Sequence, residues 1–154
     1  MEWIISSQTE MEAAMRAYFS TLTTTQAGEF NAMLSPEFLS CDFDRRTLRV
    51  ALHVQPWMLN PRHILHGGIG SATADFVMGV LSRICSGGAL TPTVSMTVDY
   101  LHSVRAGDTL VMEAVCVKAG HSLCALTAVG WVEGAPDRLV LSASGTYFVS
   151  DFEA

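Results

Sequence analysis

The sequence predicts an α+β fold in which an antiparallel sheet of five or six strands wraps around one long central helix. The first observation behind this prediction is a segment, Ile69 to Ile84, that is apolar on nearly every side, as expected of a helix enclosed by other elements. The second is a set of flanking segments in which apolar and polar residues alternate with the period of a strand. Their short connections favour antiparallel neighbours.

Length and composition indicate a single domain over residues 1–154, without a linker, an internal repeat or a low-complexity run. The chain is 49% hydrophobic and 16% charged, whereas an average soluble domain has about 25% charged residues. Intrinsic disorder is therefore excluded as its main character. The surplus of apolar side chains predicts burial against another subunit, so at least a dimer is expected.

The N-terminal part is predicted to be a helical extension of the domain, over residues 1–28, that ends at Gly28. Apolar residues recur there at spacings of three and four: Met11, Ala14, Met15, Tyr18, Phe19 and Leu22. A second short helix is predicted over Phe30 to Leu34. A hairpin follows, with arms Glu37 to Asp42 and Thr47 to Gln55 joined by a polar turn.

After an irregular segment, Pro56 to Leu65, the motif His66-Gly67-Gly68 opens the central helix. The predicted strands that follow are Thr93 to Leu101, Asp108 to Lys118, Ser122 to Glu133 and Leu139 to Val149. Strict alternation in the first of them places Thr93 on the face opposite Val94 and Met96. The stretch Leu123 to Val132 is apolar on both faces, so it needs a second cover, either the N-terminal helix or a partner subunit.

Charge and hydropathy argue against several classes of function. The net charge is −6 and Lys118 is the single lysine, so the chain lacks the basic stripe of a nucleic-acid-binding protein. The longest apolar stretch, Phe76 to Cys85, is much shorter than the roughly 20 residues of a membrane-spanning helix. The segment Met1 to Ser6 lacks the apolar core of a secretory signal. The four cysteines form no Cys-x-x-Cys pair, which predicts reduced thiols in the cytoplasm and neither a metal nor a cofactor.

Asp75 is the residue most informative about chemistry. It lies two turns inside the enclosed helix among apolar neighbours, too far from the helix start to be an N-cap. A charge in such surroundings is unfavourable unless it is paired or opens into a cleft, where a carboxylate can act as a general base. The alternative interpretation is an aspartate on an exposed stripe of the helix, and position alone does not decide between the two.

The motif His66-Gly67-Gly68 also has two interpretations. Free N–H groups and the positive end of the helix dipole can hold a developing oxyanion there, and glycines let a ligand approach the backbone closely. The simpler interpretation is a Gly-Gly turn that enters a helix. Taken alone, Asn60 is likewise read as a turn residue and Thr93 as an ordinary threonine at the start of a strand.

Three stretches of sequence carry a resemblance when they are taken in order. They are His66 to Asp75, then Thr93 to Leu101 with Arg105 to Asp108, and finally Lys118 to Leu123. Together they resemble the hotdog-fold acyl-CoA thioesterases of the PaaI-like, phenylacetic-acid-degradation branch. The resemblance covers the chain from Phe38 to Val149. It departs at His102-Ser103-Val104, where the family often has a proline before the residue that matches Arg105.

The resemblance implies hydrolysis of acyl-CoA thioesters to a free acid and coenzyme A. The Gly67 N–H and Asn60 would polarise the thioester carbonyl, while Asp75 activates water or attacks directly. His66 would shape the loop and Thr93 would orient the water. The site is expected at the interface of a homodimer, or of a dimer of dimers, with Asp75 and Thr93 from one subunit and the two donors from the other. Coenzyme A is expected near Gly68, Arg105, Lys118, Gly120 and His121.

Two other functions are compatible with the same scaffold. A non-catalytic acyl-CoA binding or sensing protein would not need a buried base at Asp75. An acyl hydratase or dehydratase would need a histidine poised for proton transfer, whereas His66 stands before glycines at a helix start, which suits shaping of the backbone. The sequence does not specify the acyl group. Its pocket wall is expected from Trp57, Met58, Phe76 and Met78, which suits aryl and aliphatic chains alike.

Overall fold

The computed structural model describes residues 5–150 of the 154-residue chain. Residues 1–4 and 151–154 lie outside this part, and with them most of the segment on which the expectation about a secretory signal rests. Within residues 5–150 the α-helices are α1 (Gln8–Thr21), α2 (Phe30–Leu34) and α3 (Gly67–Cys85), with a short 3-10 helix at Pro56–Met58. The predicted α2 and the predicted central helix are confirmed.

The N-terminal helix is shorter than predicted. α1 ends at Thr21 and not at Gly28. The hydroxyls that follow bond to backbone carbonyls of the preceding turn, as Thr24 Oγ1 does with the Ser20 carbonyl at 2.9 Å. Because such side chains compete with helical hydrogen bonding, residues 22–28 form turns, and Gly28 closes them with a φ of 89°.

Six strands form one antiparallel sheet within the described part, as the sequence predicts. They are β1 (Glu37–Asp42), β2 (Thr47–His53), β3 (Thr93–Tyr100), β4 (Thr109–Ala119), β5 (Leu123–Val132) and β6 (Leu139–Phe148). Their order is β1-β2-β4-β5-β6-β3, so β1 and β3 are the edges. The sheet wraps around α3, which packs against β2, β3, β4, β5 and β6.

The central helix is enclosed, as its composition predicts. Ala74, Val77, Met78 and Leu81 of α3 have no exposed surface. Burial of each large apolar side chain stabilises the fold by about 1.5–3 kcal/mol. α1 lies against α3 and β1 and contributes Met11 and Met15 to the same core.

The outer face of the sheet is left without a helix within residues 5–150. Because α1 packs against β1 and α3, it is not the second cover expected for β5. Leu123 and Phe148, which pair across β5 and β6, keep 47% and 43% of their surfaces exposed. A partner subunit therefore remains the predicted cover for this face.

The alternation predicted for β3 is wrong at its first residue. Thr93 pairs with Tyr147 of β6, but Ser95 pairs with Thr146, so β3 contains a bulge between them. The bulge turns Thr93 toward α3, the side on which Met96 also packs, although strict alternation would place them on opposite faces. This local irregularity brings Thr93 to the candidate site.

Cys85, Cys116 and Cys124 are buried and Cys41 is half-buried, and all four are free. Residues 5–150 contain no group of three or more His, Cys, Asp or Glu arranged to hold a metal ion. Among the helices of residues 5–150, none combines the length and the apolar character needed to cross a membrane.

Candidate active site

The start of α3 is capped by the side chain that precedes the glycines. His66 is the N-cap, with φ −63° and ψ 133°, and its Nδ1 accepts a hydrogen bond from the Gly68 N–H at 2.9 Å. A ring nitrogen that accepts this bond is unprotonated, so neutral His66 carries its proton on Nε2. The cap uses the N–H of Gly68, one of the residues expected to contact coenzyme A. It leaves the N–H of Gly67 available.

The Gly67 N–H has no acceptor within residues 5–150. It belongs to the first residue of α3, where free N–H groups and the positive end of the helix dipole coincide. Tyr100 closes over this end from β3, because its hydroxyl donates to the Gly67 carbonyl at 2.7 Å and also bonds to the Ser71 hydroxyl. An oriented donor without a protein partner is what an oxyanion site requires.

Asn60 is a turn residue and, at the same time, a free donor. Its Oδ1 accepts from the Arg62 N–H at 2.9 Å and from the Ile64 N–H at 3.4 Å. These two bonds fix the orientation of the amide and leave Nδ2 without an acceptor in the described part of the chain. The turn role of Asn60 is therefore confirmed, and its Nδ2 stays available for the donor role that the resemblance implies.

These donors open into one cleft of about 350 Å³. We call it the amide cleft, defined by Asn60, His66, Gly67 and Tyr100. Its remaining wall is mainly apolar, and no carboxylate side chain lines it among residues 5–150. The amide cleft can therefore stabilise negative charge on a ligand oxygen, but it holds no carboxylate base.

Asp75 is half-buried on α3, two turns beyond Gly67. Its Oδ1 accepts hydrogen bonds from Thr93 Oγ1 at 2.7 Å and from the Tyr147 hydroxyl at 3.0 Å. Burial raises the pKa of Tyr147 and the negative charge of Asp75 raises it further, so the phenol stays protonated and donates. Oδ2 has no hydrogen-bond partner within residues 5–150. Two hydroxyls thus orient the carboxylate and leave one oxygen free.

Asp75 opens into a second cleft, with a volume of about 380 Å³. We call it the carboxylate cleft, defined by Asp75, Arg83, Thr93 and Tyr147. Of the four residues expected to line an acyl pocket, Phe76 alone lines this cleft among the residues described. Met58 and Met78 lie in the core, and Trp57 is 51% exposed on the surface.

One chain does not bring the predicted catalytic residues together. Asp75 and Thr93 share the carboxylate cleft, whereas Asn60, His66 and Gly67 share the amide cleft. Gly67 and Asp75 are eight residues apart on α3, which is about 12 Å along the helix axis. The resemblance implies the same grouping, with Asp75 and Thr93 supplied by one subunit and Asn60 and Gly67 by the other.

The residues expected to contact coenzyme A are also divided. Arg105 is exposed in the loop before β4, next to Val104, which lines the amide cleft. Lys118, Gly120 and His121 lie at the opposite, C-terminal end of β4 and in the turn after it. β4 has 11 residues, so its ends are roughly 33 Å apart. In the far turn the Gly120 N–H donates to the Leu123 carbonyl, and a Cβ on Gly120 would lie 2.8 Å from that oxygen. Glycine is therefore required there.

The turn between β4 and β5 lies at the same end of the sheet as the carboxylate cleft. Ala119 pairs with Cys124, Cys124 with Tyr147, and Tyr147 with Thr93, so these residues form one row across four strands. Each chain therefore has an amide end, with Arg105 nearby, and a carboxylate end, with the β4–β5 turn nearby.

Solved structures share this architecture. Zebrafish thioesterase superfamily member 2 is 19% identical with a TM-score of 0.79, and the match covers 95% of this chain and 100% of that one. The Escherichia coli PaaI protein of the phenylacetic acid degradation operon is 19% identical with a TM-score of 0.76, covering 94% and 96%. A Streptococcus mutans protein bound to acetyl CoA is 24% identical with a TM-score of 0.67, covering 75% and 88%. At these identities the likeness shows the fold.

Residues 63–136 also match the family model described as Thioesterase superfamily. The predicted resemblance to hotdog-fold thioesterases is confirmed. A curated protein of Archaeoglobus fulgidus described as "Putative esterase" is 28% identical over 100 residues, which is 65% of this chain. The chain spans 62% of the length of that relative. These matches therefore show the fold and a local similarity to the Thioesterase superfamily.

The hotdog domain uses three side chains at its clefts that sequence reasoning missed. Tyr100 closes the start of α3, Tyr147 orients Asp75, and Arg83 lines the carboxylate cleft. One signal for Tyr147 was available in β6, because Gly145 makes room for the ring: a Cβ there would lie 2.9 Å from Tyr147 Cε2. Arg83 was visible only as an interruption of an apolar stretch.

Proposed function

We propose that this protein hydrolyses acyl-CoA thioesters to a free acid and coenzyme A. One observation carries the proposal: the Asp75 carboxylate, on a mostly apolar helix, is held through Oδ1 by two hydroxyls and keeps Oδ2 free. Within residues 5–150 this carboxylate caps no helix and forms no ion pair. An oriented carboxylate at a cleft with apolar walls suits a general base or a nucleophile.

The proposed oxyanion donors are the Gly67 N–H and Asn60 Nδ2. Both lack an acceptor in the described part of the chain, and both residues line the amide cleft. A thioester carbonyl gains negative charge as it is attacked, so donors already oriented toward it stabilise the transition state more than the substrate. Loss of one such donor typically raises the barrier by about 2.7–4 kcal/mol.

The reaction has two possible courses at Asp75. In one, Oδ2 removes a proton from a water molecule that attacks the carbonyl carbon, and the coenzyme A thiolate leaves. In the other, Oδ2 attacks that carbon, which expels the coenzyme A thiolate and forms a mixed anhydride between Asp75 and the acyl group. Water then hydrolyses the anhydride. The Thr93 hydroxyl donates a hydrogen bond to Oδ1, and the lone pairs of its oxygen can accept a hydrogen bond from the water. Both courses consume one water and release one acid and one thiol.

The complete site requires a second copy of the chain, because the amide cleft and the carboxylate cleft are separate in one chain. β3 is an edge of the sheet, and a second β3 can pair with it about a two-fold axis. Val94 and Tyr100 on this edge keep 59% and 55% of their surfaces exposed, which favours such pairing. The carboxylate cleft of one subunit then faces the amide cleft of its partner, in a homodimer or a dimer of dimers.

Coenzyme A is proposed to bind along the same shared groove. A groove built from the amide end of one subunit and the carboxylate end of the other would combine Arg105 with Lys118, Gly120 and His121. The net charge of −6 makes such local cations necessary for an anionic ligand. The Streptococcus mutans structure bound to acetyl CoA supports a coenzyme A ligand on this fold.

The alternatives named from the sequence are not favoured by a specific contact. A hydratase or dehydratase would use a histidine for proton transfer at carbon, but His66 Nδ1 is engaged in the helix cap. A sensor would bind acyl-CoA without releasing the thiol, and this is one outcome of the experiment below.

Two inactive variants test the chemistry and the shared site together. Asp75→Asn removes the base or nucleophile, and Gly67→Pro removes the N–H donor. Each variant alone is expected to release thiol from acyl-CoA at least about 100-fold more slowly than the wild type. If the two chains carry different affinity tags, the mixed dimer can be purified. It contains one site with both halves intact, so it should recover roughly half of the wild-type rate.

The matched control is a mixed dimer of the wild-type chain with a chain that carries both substitutions. It has the same number of changes, but each shared site then has one defective half, so it should stay inactive. Equal rates in the two mixed dimers would contradict the shared site. Wild-type turnover by Asp75→Asn would contradict its role. Tight binding of one acyl-CoA, without thiol release from short, medium, long or aromatic thioesters, would instead favour a sensor.

A further inference from the structure

The carboxylate cleft contains a cation that the proposed chemistry does not use. Arg83 lies two turns beyond Asp75 on α3, about 12 Å along the axis and on the same face of the helix. It is half-buried, and its side chain forms no ion pair or hydrogen bond within residues 5–150. A charge withdrawn from water without a partner is unfavourable, so its position in a cleft points to a ligand.

The cleft is apolar between Asp75 and Arg83. Gly79 lies midway between them on the helix and lines the cleft without a side chain. A Cβ at this position would lie 3.7 Å from Tyr147 Cε1, which is an ordinary contact, so the glycine is not required by close packing. The walls along this stretch are Phe76, Val80, Leu90 and Pro92. A channel of this kind fits a hydrocarbon chain whose thioester end lies at Asp75.

The cleft also has polar walls. Tyr18 of α1 and Asn31 of α2 line it together with Arg83. Burial raises the pKa of Tyr18, and the positive charge of Arg83 opposes that rise. The nearby carboxylate of Glu29 is exposed and forms no ion pair with Arg83. A cation and two side-chain hydrogen-bonding groups therefore line the same cleft as Asp75.

We infer that Arg83 recognises an anion at the far end of the acyl chain, so that the preferred substrates are acyl-CoA thioesters whose acyl group ends in a carboxylate. The inference rests on the proposed function, because the thioester must lie at Asp75. A guanidinium binds a carboxylate through two parallel hydrogen bonds, and Tyr18 and Asn31 can donate to the same group. The coenzyme A phosphates have a separate set of candidate partners, Arg105 and Lys118, which lie outside this cleft.

A pair of thioesters of equal chain length tests the inference. Suberoyl-CoA carries a terminal carboxylate, and octanoyl-CoA carries a methyl group in its place. The wild type should have the higher kcat/KM for suberoyl-CoA. Arg83→Met should lower that value by about 10- to 100-fold and leave octanoyl-CoA unchanged. Arg83→Lys keeps the positive charge but loses the paired N–H groups of the guanidinium, so its kcat/KM for suberoyl-CoA should lie between those of the wild type and Arg83→Met. Arg45→Met, in the exposed turn between β1 and β2, is the control and should leave kcat/KM for both thioesters unchanged.

Each other outcome has a distinct meaning. Arg83 also lies in the last turn of α3, where a cation can stabilise the helix dipole. Equal losses on both thioesters in Arg83→Met would overturn the inference, and a lowered melting temperature would then assign the residue to helix stability. Hydrolysis of both thioesters by the wild type without preference would overturn the inference and leave the proposed function standing. No thiol release from either, with hydrolysis of a short or aromatic thioester, would overturn the inference alone, and no release from any of these thioesters would overturn both.

Discussion

The two clefts of this domain hold groups of opposite character. The amide cleft presents N–H donors at the positive end of a helix dipole, and the carboxylate cleft presents a negative charge held by hydroxyls. One can stabilise an oxyanion and the other can provide a base or nucleophile. Because about 12 Å of helix separates Gly67 from Asp75, pairing of two chains is the simplest way to join the halves.

The clefts also differ in the sequence range of their contacts. In the amide cleft the bonds from Gly68 to His66 and from Arg62 to Asn60 each span two residues, and the bond from Tyr100 to the Gly67 carbonyl is the long-range exception. In the carboxylate cleft the bonds to Asp75 come from residues 18 and 72 positions away. Local bonds allow substitutions that preserve the loop while removing one donor. Long-range bonds depend on the register of β3 and β6.

The largest effect is expected in the amide cleft from Gly67→Pro. Gly67 is the first helical residue, where proline is tolerated, and His66 already has the extended conformation that precedes a proline. The change therefore removes the N–H and keeps the helix, and kcat should fall by about 100- to 1000-fold. Steady-state thiol release and thermal unfolding check the two statements.

Gly67→Ala is the matched control for that prediction. It keeps the N–H, and its Cβ would lie 3.4 Å from Tyr100 Cζ, an ordinary contact. This variant should retain most of the activity. If alanine and proline reduce kcat equally, the glycine serves the packing of Tyr100 and not an oxyanion.

A somewhat smaller loss is expected from Asn60→Asp. The aspartate keeps an oxygen for the N–H groups of Arg62 and Ile64, so the turn survives, but it replaces the Nδ2 donor with a second oxygen. We expect kcat to fall by about 100-fold with little change in melting temperature. Asn60→Ala should lower both, because it also removes the turn bonds. Full activity in Asn60→Asp would leave the residue with its turn role alone.

The smallest effect is expected in the carboxylate cleft from Tyr147→Phe. The change removes one of two donors to Asp75 Oδ1, while Thr93 still orients the carboxylate. We expect kcat to fall by about tenfold with KM unchanged, because the phenol acts through the carboxylate that it positions. Tyr100→Phe is a control on the other cleft. A change in KM alone for Tyr147→Phe would contradict the positioning role.

The regular elements could be predicted because their signals lie close together in the sequence. The apolar surround of α3 and the alternation in the strands predicted the layout, and the bounds of α2 and β1 agree with the structure. α1 was predicted too long because the apolar spacing continues to Leu22, while the threonine hydroxyls that end the helix act through specific hydrogen bonds.

The sequence by itself determined the order of the elements, the cap of α3 and the turn at Asn60, because each depends on neighbours along the chain. Only the tertiary structure decided that Thr93 turns toward Asp75, that Tyr147 holds the same carboxylate, and that Arg83 opens into the same cleft. These depend on a bulge and on the register of strands remote in sequence. A shift of one residue in either strand would reverse the face that each side chain presents.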